Sequence, residues 1–215
     1  MKKGCLIAIV VVVLIVLIGG CGLKQGYNNI VTYNETVGSK WGQVENQYQR
    51  RMDLIPNLVN TVKGAADFEK STLTDVIQAR ASATQIKVDA NDLSPEKIQQ
   101  YQAAQGQLSQ ALGRLMVVSE RYPQLTATQN FKDLQAQLEG TENRIAVARM
   151  DFNNSVQVYN TTIKRFPAVM YAGMFGFHEK GFFQSQPGAE KAPTVNFGGN
   201  GSTAPSTSGV DSMGH

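Results

Sequence analysis

Apolar residues recur in steps of three and four at Val37, Trp41, Val44, Tyr48, Met52, Ile55, Val59 and Val62. That spacing marks one face of a helix, close to the 3.5-residue seam of helices packed side by side. It predicts a first helix from about Tyr27 to Lys63, with Gly64 near its end. Pro56 falls inside. Proline removes one intrahelical donor and presses on the carbonyl of Met52, so a kink or a break is expected there. Asp53 as an N-cap with Pro56 in the first turn would give two helices. The seam crosses Pro56 without a jump in phase, which favours one kinked helix.

A second helix is expected after Asp67 as N-cap, with Leu73, Val76, Ile77, Ala83 and Ile86 on its apolar face. Ser94-Pro95-Glu96 is a start signal: a capping hydroxyl, proline at the first helical position and an acid in the first turn. The third helix then carries Ile98, Tyr101, Leu108, Leu112, Leu115 and Val118 and stops before Tyr122-Pro123. Thr126 and Gln129 have capping-box spacing. The fourth helix has the most regular stripe: Phe131, Leu134, Leu138, Thr141, Ile145, Ala148, Phe152, Val156, Tyr159, Ile163 and Phe166, closed by Pro167. An aromatic segment follows, and from Gln184 the chain turns to Gly, Ser, Thr, Pro and Asn, the composition of a disordered tail.

Ahead of the first helix, Leu6–Ile18 is an unbroken aliphatic run, extended to Leu23 and bounded by Lys2, Lys3 and Lys24. Twenty uncharged helical residues reach about 30 Å, the thickness of a hydrocarbon core. Four consecutive valines, Val10–Val13, with no polar face exclude an ordinary soluble helix. Two membrane readings stay open. The run is a retained signal anchor, or it is the apolar region of a signal peptide. Ile18-Gly19-Gly20-Cys21 resembles the bacterial lipobox, in which the cysteine is acylated. Lys2 and Lys3 favour a cytoplasmic N-terminus and an extracytoplasmic body.

The expected fold is therefore all-α: an N-terminal membrane anchor followed by an antiparallel up-and-down four-helix bundle with long first and last helices. The domains are residues 1–26 (anchor or lipoprotein signal), 27–166 (bundle), 167–183 (aromatic-rich, membrane-proximal) and 184–215 (tail). With four helices, the start of the first and the end of the fourth share one end. Their surplus length predicts a two-helix stalk beside the membrane, pairing residues 30–45 with 148–166. Tyr171, Phe175, Phe177, Phe182 and Phe183 would emerge there, either as membrane-interface residues or packed back against the first and last helices as core aromatics.

The net charge of +3 sits entirely in residues 1–26; residues 27–166 hold fifteen basic and fourteen acidic side chains. A balanced body without a basic block speaks against nucleic-acid binding. The two cysteines, Cys5 and Cys21, flank the apolar run and form no zinc spacing. Glu139, Glu142 and Arg144 suggest a bundle metal site, but such sites use Glu-x-x-His and no histidine lies in a predicted helix. His178 has no evident nucleophile to serve. Arg50, Arg51 and Asp53 are candidates for binding an anionic partner, or else ion pairs on a solvated helix face.

Residues 49–64 resemble the LemA family: Gln49-Arg50-Arg51, then Asp53-Leu54-Ile55-Pro56-Asn57-Leu58-Val59, then Val62-Lys63-Gly64. Tyr27-Asn28, Tyr122-Pro123-Gln124-Leu125, Thr141-Glu142-Asn143-Arg144-Ile145-Ala146, the pairs Phe152-Asn153 and Tyr159-Asn160, and Gly176-Phe177 agree with its pattern. Ala65 and Phe68 depart from it, standing where the family often has Tyr and His. The resemblance implies a membrane-attached antiparallel helical bundle without assigned enzymatic activity. It supplies no catalytic residue, cofactor or metal. The functional expectation is a non-enzymatic scaffold or adaptor of the cell membrane that meets another membrane or envelope protein. The alternative is a lipid-anchored envelope binding module acylated at Cys21.

Overall fold

The computed structural model describes residues 3–64 and 68–185; the side chains of residues 3, 5, 6, 8, 9, 12 and 15–22 lie outside that description. The chain divides into two units, Met1–Gln184 and Ser185–His215, and all but one residue of the second lies outside the described residues. So do Asp67, the expected cap, and the expected disordered tail from residue 186 onward.

The first unit is all-α. Among the described residues there are five helices: α1 (Lys3–Lys63), α2 (Lys70–Gln85), α3 (Pro95–Ser119), the single turn α4 (Pro123–Thr126) and α5 (Gln129–Lys164), the predicted fourth helix. Two 3-10 turns follow, Ala168–Met170 and Gly173–Phe175. Among the described residues no helix is long and apolar enough to cross a membrane. Much of the expected span, Leu6–Ile18, belongs to the side chains outside the description.

α1 is one helix of 61 residues, about 90 Å long at 1.5 Å per residue. Its backbone continues from the apolar run into the seam without a break. All eight seam residues are buried, joined by Ile30 and Leu58. Pro56 lies within it. The carbonyl that proline leaves without its helical donor is that of Met52. α2 supplies the missing donor, because Arg80 Nε donates to the Met52 oxygen at 3.0 Å. A tertiary contact thus repairs a local defect, and it fixes where α2 docks along α1. Arg80→Ala is expected to cost about 1–2 kcal/mol by leaving that carbonyl unpaired. Pro56→Ala, which restores the amide donor, should erase most of this cost in a double-mutant cycle. Equal losses from Arg80→Ala in both backgrounds, read by thermal melting, would sink the account.

The long helices α1 and α5 pack together and run in opposite directions, since Lys40 pairs with Asp151 at 2.9 Å and Arg51 with Glu142 at 3.0 Å. α2 packs on α3, with Asp75 facing Arg114. Two apolar clusters result. One gathers Ile30–Tyr48 of α1, Tyr101, the Ile145–Ile163 stretch of α5, Tyr171 and Phe183. The other gathers Met52–Val62 of α1, Leu73 and Val76 of α2, Leu108–Leu115 of α3 and Phe131–Leu138 of α5.

Several expectations need correction. Ile77 is half exposed and Phe166 almost wholly so; α2 buries its face through Thr72, Leu73, Val76 and Ala83, and α5 ends before Phe166. Ile86, expected on the α2 face, lies past its end: α2 stops after 16 residues, Ile86 is already extended, and Val88 enters the first cluster. The cap of α5 is Thr128, whose hydroxyl accepts from Phe131 N at 3.4 Å. Thr126 is consumed by α4, the turn that Tyr122-Pro123 starts, and its hydroxyl donates to the Tyr122 and Pro123 carbonyls. Finally, the α1–α5 pair is not a bare two-helix stalk. Residues 177–184 return along it, as described next.

Candidate functional site

Between the two apolar clusters lies a buried polar layer centred on Arg51. The sequence suggested a solvated face for Arg50, Arg51 and Asp53, and the structure splits the three. Arg50 and Asp53 are exposed, with Gln49 donating to Asp53 at 2.7 Å. Arg51 is 2% exposed and so is not a surface partner-binding residue. The seam passes through Tyr48, Met52 and Ile55, and Arg51, three after Tyr48, follows the same inward face. Its guanidinium donates to Ser109 Oγ (2.8 Å), to the Gln105 side-chain and backbone oxygens of α3, and to Glu142 of α5 (3.0 Å). It also lies over the Tyr48 ring, 5.0 Å from the centroid.

Gln105 and Thr141 complete the layer; both are buried, and Thr141 turns its hydroxyl back to the Gln137 carbonyl. Burial raises the phenol pKa of Tyr48 and, further, that of Tyr101, so both rings stay neutral. Arg51 Nε, Gln105 Nε2 and Gln47 Oε1 find no partner among the described residues. The carboxylate of Glu142 remains more than half exposed, so this ion pair adds little net stability. Its value is geometric: a planar donor fork joining three helices at one level penalises any slip of α1 against α3 and α5.

The second arrangement is a strap. After the 3-10 turns the chain reverses at Gly176, whose φ of 78° places it in the left-handed region that favours glycine. Residues 178–184 then run back along α5, held mostly by side-chain amides that pair with backbone as a neighbouring strand would. Asn160 Nδ2 donates to the Lys180 carbonyl and Asn160 Oδ1 accepts from Lys180 N (2.8 and 3.0 Å). Asn153 does the same with Phe183 (2.8 and 2.9 Å), and Gln102 of α3 with Gln184 (2.8 and 2.9 Å). Tyr159, its phenol pushed up to about 12 by burial, donates to the His178 carbonyl. Burial lowers the Lys180 ammonium pKa, and that group sits over the Tyr159 ring.

Phe183 stacks on Trp41 and meets the Phe152 edge. The expected interface set is thereby divided. Tyr171 and Phe183 belong to the core, Phe177 is half-buried against it, and Phe175 and Phe182 are exposed. Phe182 and Phe183 lie at the level of Asn153, far from the α5 C-terminus. That removes Tyr171, Phe182 and Phe183 from the membrane-interface expectation. Cys21 falls in α1, but its side chain lies outside the described residues.

Of the candidate metal residues, Glu142 pairs with Arg51, Glu139 accepts from Gln135 and Arg144 is exposed. Among the described residues no three histidine, cysteine or acidic side chains come together. Sequence reasoning missed Gln105, Ser109 and the strap. One signal was present: Phe152-Asn153 and Tyr159-Asn160 repeat an aromatic-Asn pair at a spacing of seven, which puts both amides on one edge of α5.

Comparison with known proteins finds relatives over most of the chain. Two magnetosome proteins of Paramagnetospirillum magneticum, MamQ 1 and MamQ 2, are each 29% identical over 189 residues, covering 78% of this chain and 68% of theirs. Magnetosome protein MamQ of Magnetospirillum gryphiswaldense shows the same identity and coverage. The LemA family model matches residues 40–197, a span that takes in the Arg51 layer, the second apolar cluster, the first from Trp41 onward and the strap, and the chain belongs to the LemA family.

Proposed function

We propose that this protein is a membrane-anchored scaffold of the bacterial cell envelope. It is an up-and-down four-helix bundle on a single-pass N-terminal helix, with its body outside the cytoplasm, and it presents helix faces to another membrane or envelope protein. It performs no catalysis of its own. The observation that carries this reading is the continuity of α1 from Lys3 to Lys63. A single helix that holds both the apolar run and the core seam transmits position and tilt from bilayer to body without a flexible joint. The Arg51 layer then fixes the register of the partner helices on that rod. Arg50 and Asp53, exposed beside it, are the α1 residues offered to a protein partner. The MamQ relatives are named for a cellular structure and not for a reaction, which supports a structural role.

The sequence Ile18-Gly19-Gly20-Cys21 favours a second reading, a lipoprotein whose mature chain begins at acylated Cys21. The bundle would then be a lipid-anchored binding module. Intact mass of the protein from native membranes separates the two: the scaffold reading expects residues 1–20 to be present. A photo-crosslinker at Arg50 or Asp53 in native membranes is expected to yield a discrete adduct with another envelope protein. Release of the protein by an alkaline carbonate wash, or no protein adduct from either position, would overturn the scaffold reading.

A further inference from the structure

We propose that Phe166–Phe175 is a second membrane contact, an apolar knob seated at the boundary between headgroups and acyl chains beside α1; this rests on the membrane-anchored reading. The segment sorts its side chains to two sides. Ala168, Tyr171 and Ala172 are buried in the cluster around α1 and α5. Phe166, Val169, Met170, Met174 and Phe175 face outward with 80, 55, 68, 85 and 60% of their surface exposed. Five large exposed apolar groups within ten residues are a concentration of the kind that marks an interaction surface.

Its position selects lipid as the occupant. The knob is clamped to α1 at Gly26 and Tyr27. The Tyr171 hydroxyl fills the space where a Cβ on Gly26 would lie. The Tyr27 ring packs on Phe175 at 5.2 Å and Phe177 at 5.6 Å between centroids. Tyr27 follows Leu23, the last residue of the apolar run, by about 6 Å along the helix, and Cys21 by about 9 Å. The interfacial layer adds roughly 5–8 Å on each side of a hydrocarbon core. The knob therefore reaches that layer whether the chain is held by a retained span or by lipid on Cys21. Lys24 and Arg165 are exposed beside it, and Lys164 is paired with Glu179 at 2.6 Å; exposed cations at this level suit anionic headgroups. A continuous helix carries its own tilt to the body, and a second contact to one side of it fixes that tilt and the rotation about the helix axis.

The test uses the full chain in vesicles of phosphatidylcholine and phosphatidylglycerol with brominated acyl chains, which quench tryptophan on contact. The chain's one tryptophan, Trp41, is buried in the core, about 21 Å further along α1 than Tyr27. It should emit equally in brominated and unbrominated vesicles. Met174→Trp, at the most exposed site of the knob, should lose most of its added emission in brominated vesicles. Met150→Trp, exposed on α5, should lose none. Vesicle-bound protein in which Met174→Trp is unquenched would overturn the knob contact and leave the anchor standing. Equal quenching of Met150→Trp and Met174→Trp would overturn a contact confined to the knob. Protein that fails to float with the vesicles would overturn the anchoring and the proposal together.

Discussion

Phe152→Asp is expected to unfold the cluster around Trp41 and to abolish cooperative melting of the helical body. Phe152 is completely buried and its ring meets Trp41 at 5.6 Å and Phe183 at 5.5 Å. Removing a large aromatic from such a site costs about 3–5 kcal/mol. A carboxylate put in its place would be buried among aromatic rings, with Arg149 over Phe183 and Lys180 over Tyr159 at the edge of the cluster, and adds several kcal/mol of desolvation. Against a total of about 5–15 kcal/mol for a typical domain, that sum is decisive. Leu138→Asp tests the other cluster. Leu138 sits nearer the surface, 8% exposed, so its carboxylate reaches water more easily and the loss should be smaller. α1 and α5 cross both clusters, so each variant should lower one shared transition and not split it in two. Circular dichroism melting of the full chain in detergent measures both. A Phe152→Asp protein that melts with the wild type would mean that the α5 register is wrong.

The helical stripes were legible because burial on one face of a long helix imposes a period that nothing else in a sequence imitates. Every residue of the α1 seam and ten of the eleven on the fourth-helix stripe are buried. Phe166 failed because Pro167 ended the helix first, and the same outward turn produced the knob. Arg51 was misplaced for a different reason. Charged residues are read as solvated by default, and only Gln105 and Ser109 of a distant helix show that this one is not. The strap was illegible because periodicity reports helices and not extended segments, and because side-chain amides are not expected to stand in for a neighbouring strand. Topology alone put its aromatics at the end of the bundle near the apolar run, and left open whether they meet lipid or pack back on the helices. The topology was sound up to Gly176, where the chain turns back.

Gly181 is the residue on which that return depends, and Gly181→Ala is expected to release the strap. A Cβ there would lie 2.6 Å from Pro95 Cα, 3.1 Å from Pro95 N and 3.2 Å from Ile98 Cβ. The nearest obstacles are backbone at the start of α3, which cannot move aside without disturbing the Ile98 packing. The Gly181 amide also donates to the Leu93 carbonyl at 2.8 Å, so the strap cannot simply lift at that point and keep its neighbours. Lys180 and Phe183 flank the clash, and their paired bonds to Asn160 and Asn153 require both to stay in register. Losing the strap forfeits the burial of Phe183, about 2–3 kcal/mol, and exchanges the paired bonds of both asparagine amides for bonds to water at a net cost of about 0.5–1.5 kcal/mol per bond. Release uncovers Trp41, on which Phe183 stacks, so its emission should shift to the red. Amide exchange at Lys180 and Phe183 should accelerate, and trypsin should cut after Lys180 while the helical body still melts cooperatively. Unchanged Trp41 emission together with unchanged protection of those two amides would show that the helix α3 start yields to the methyl group and that the strap does not depend on glycine.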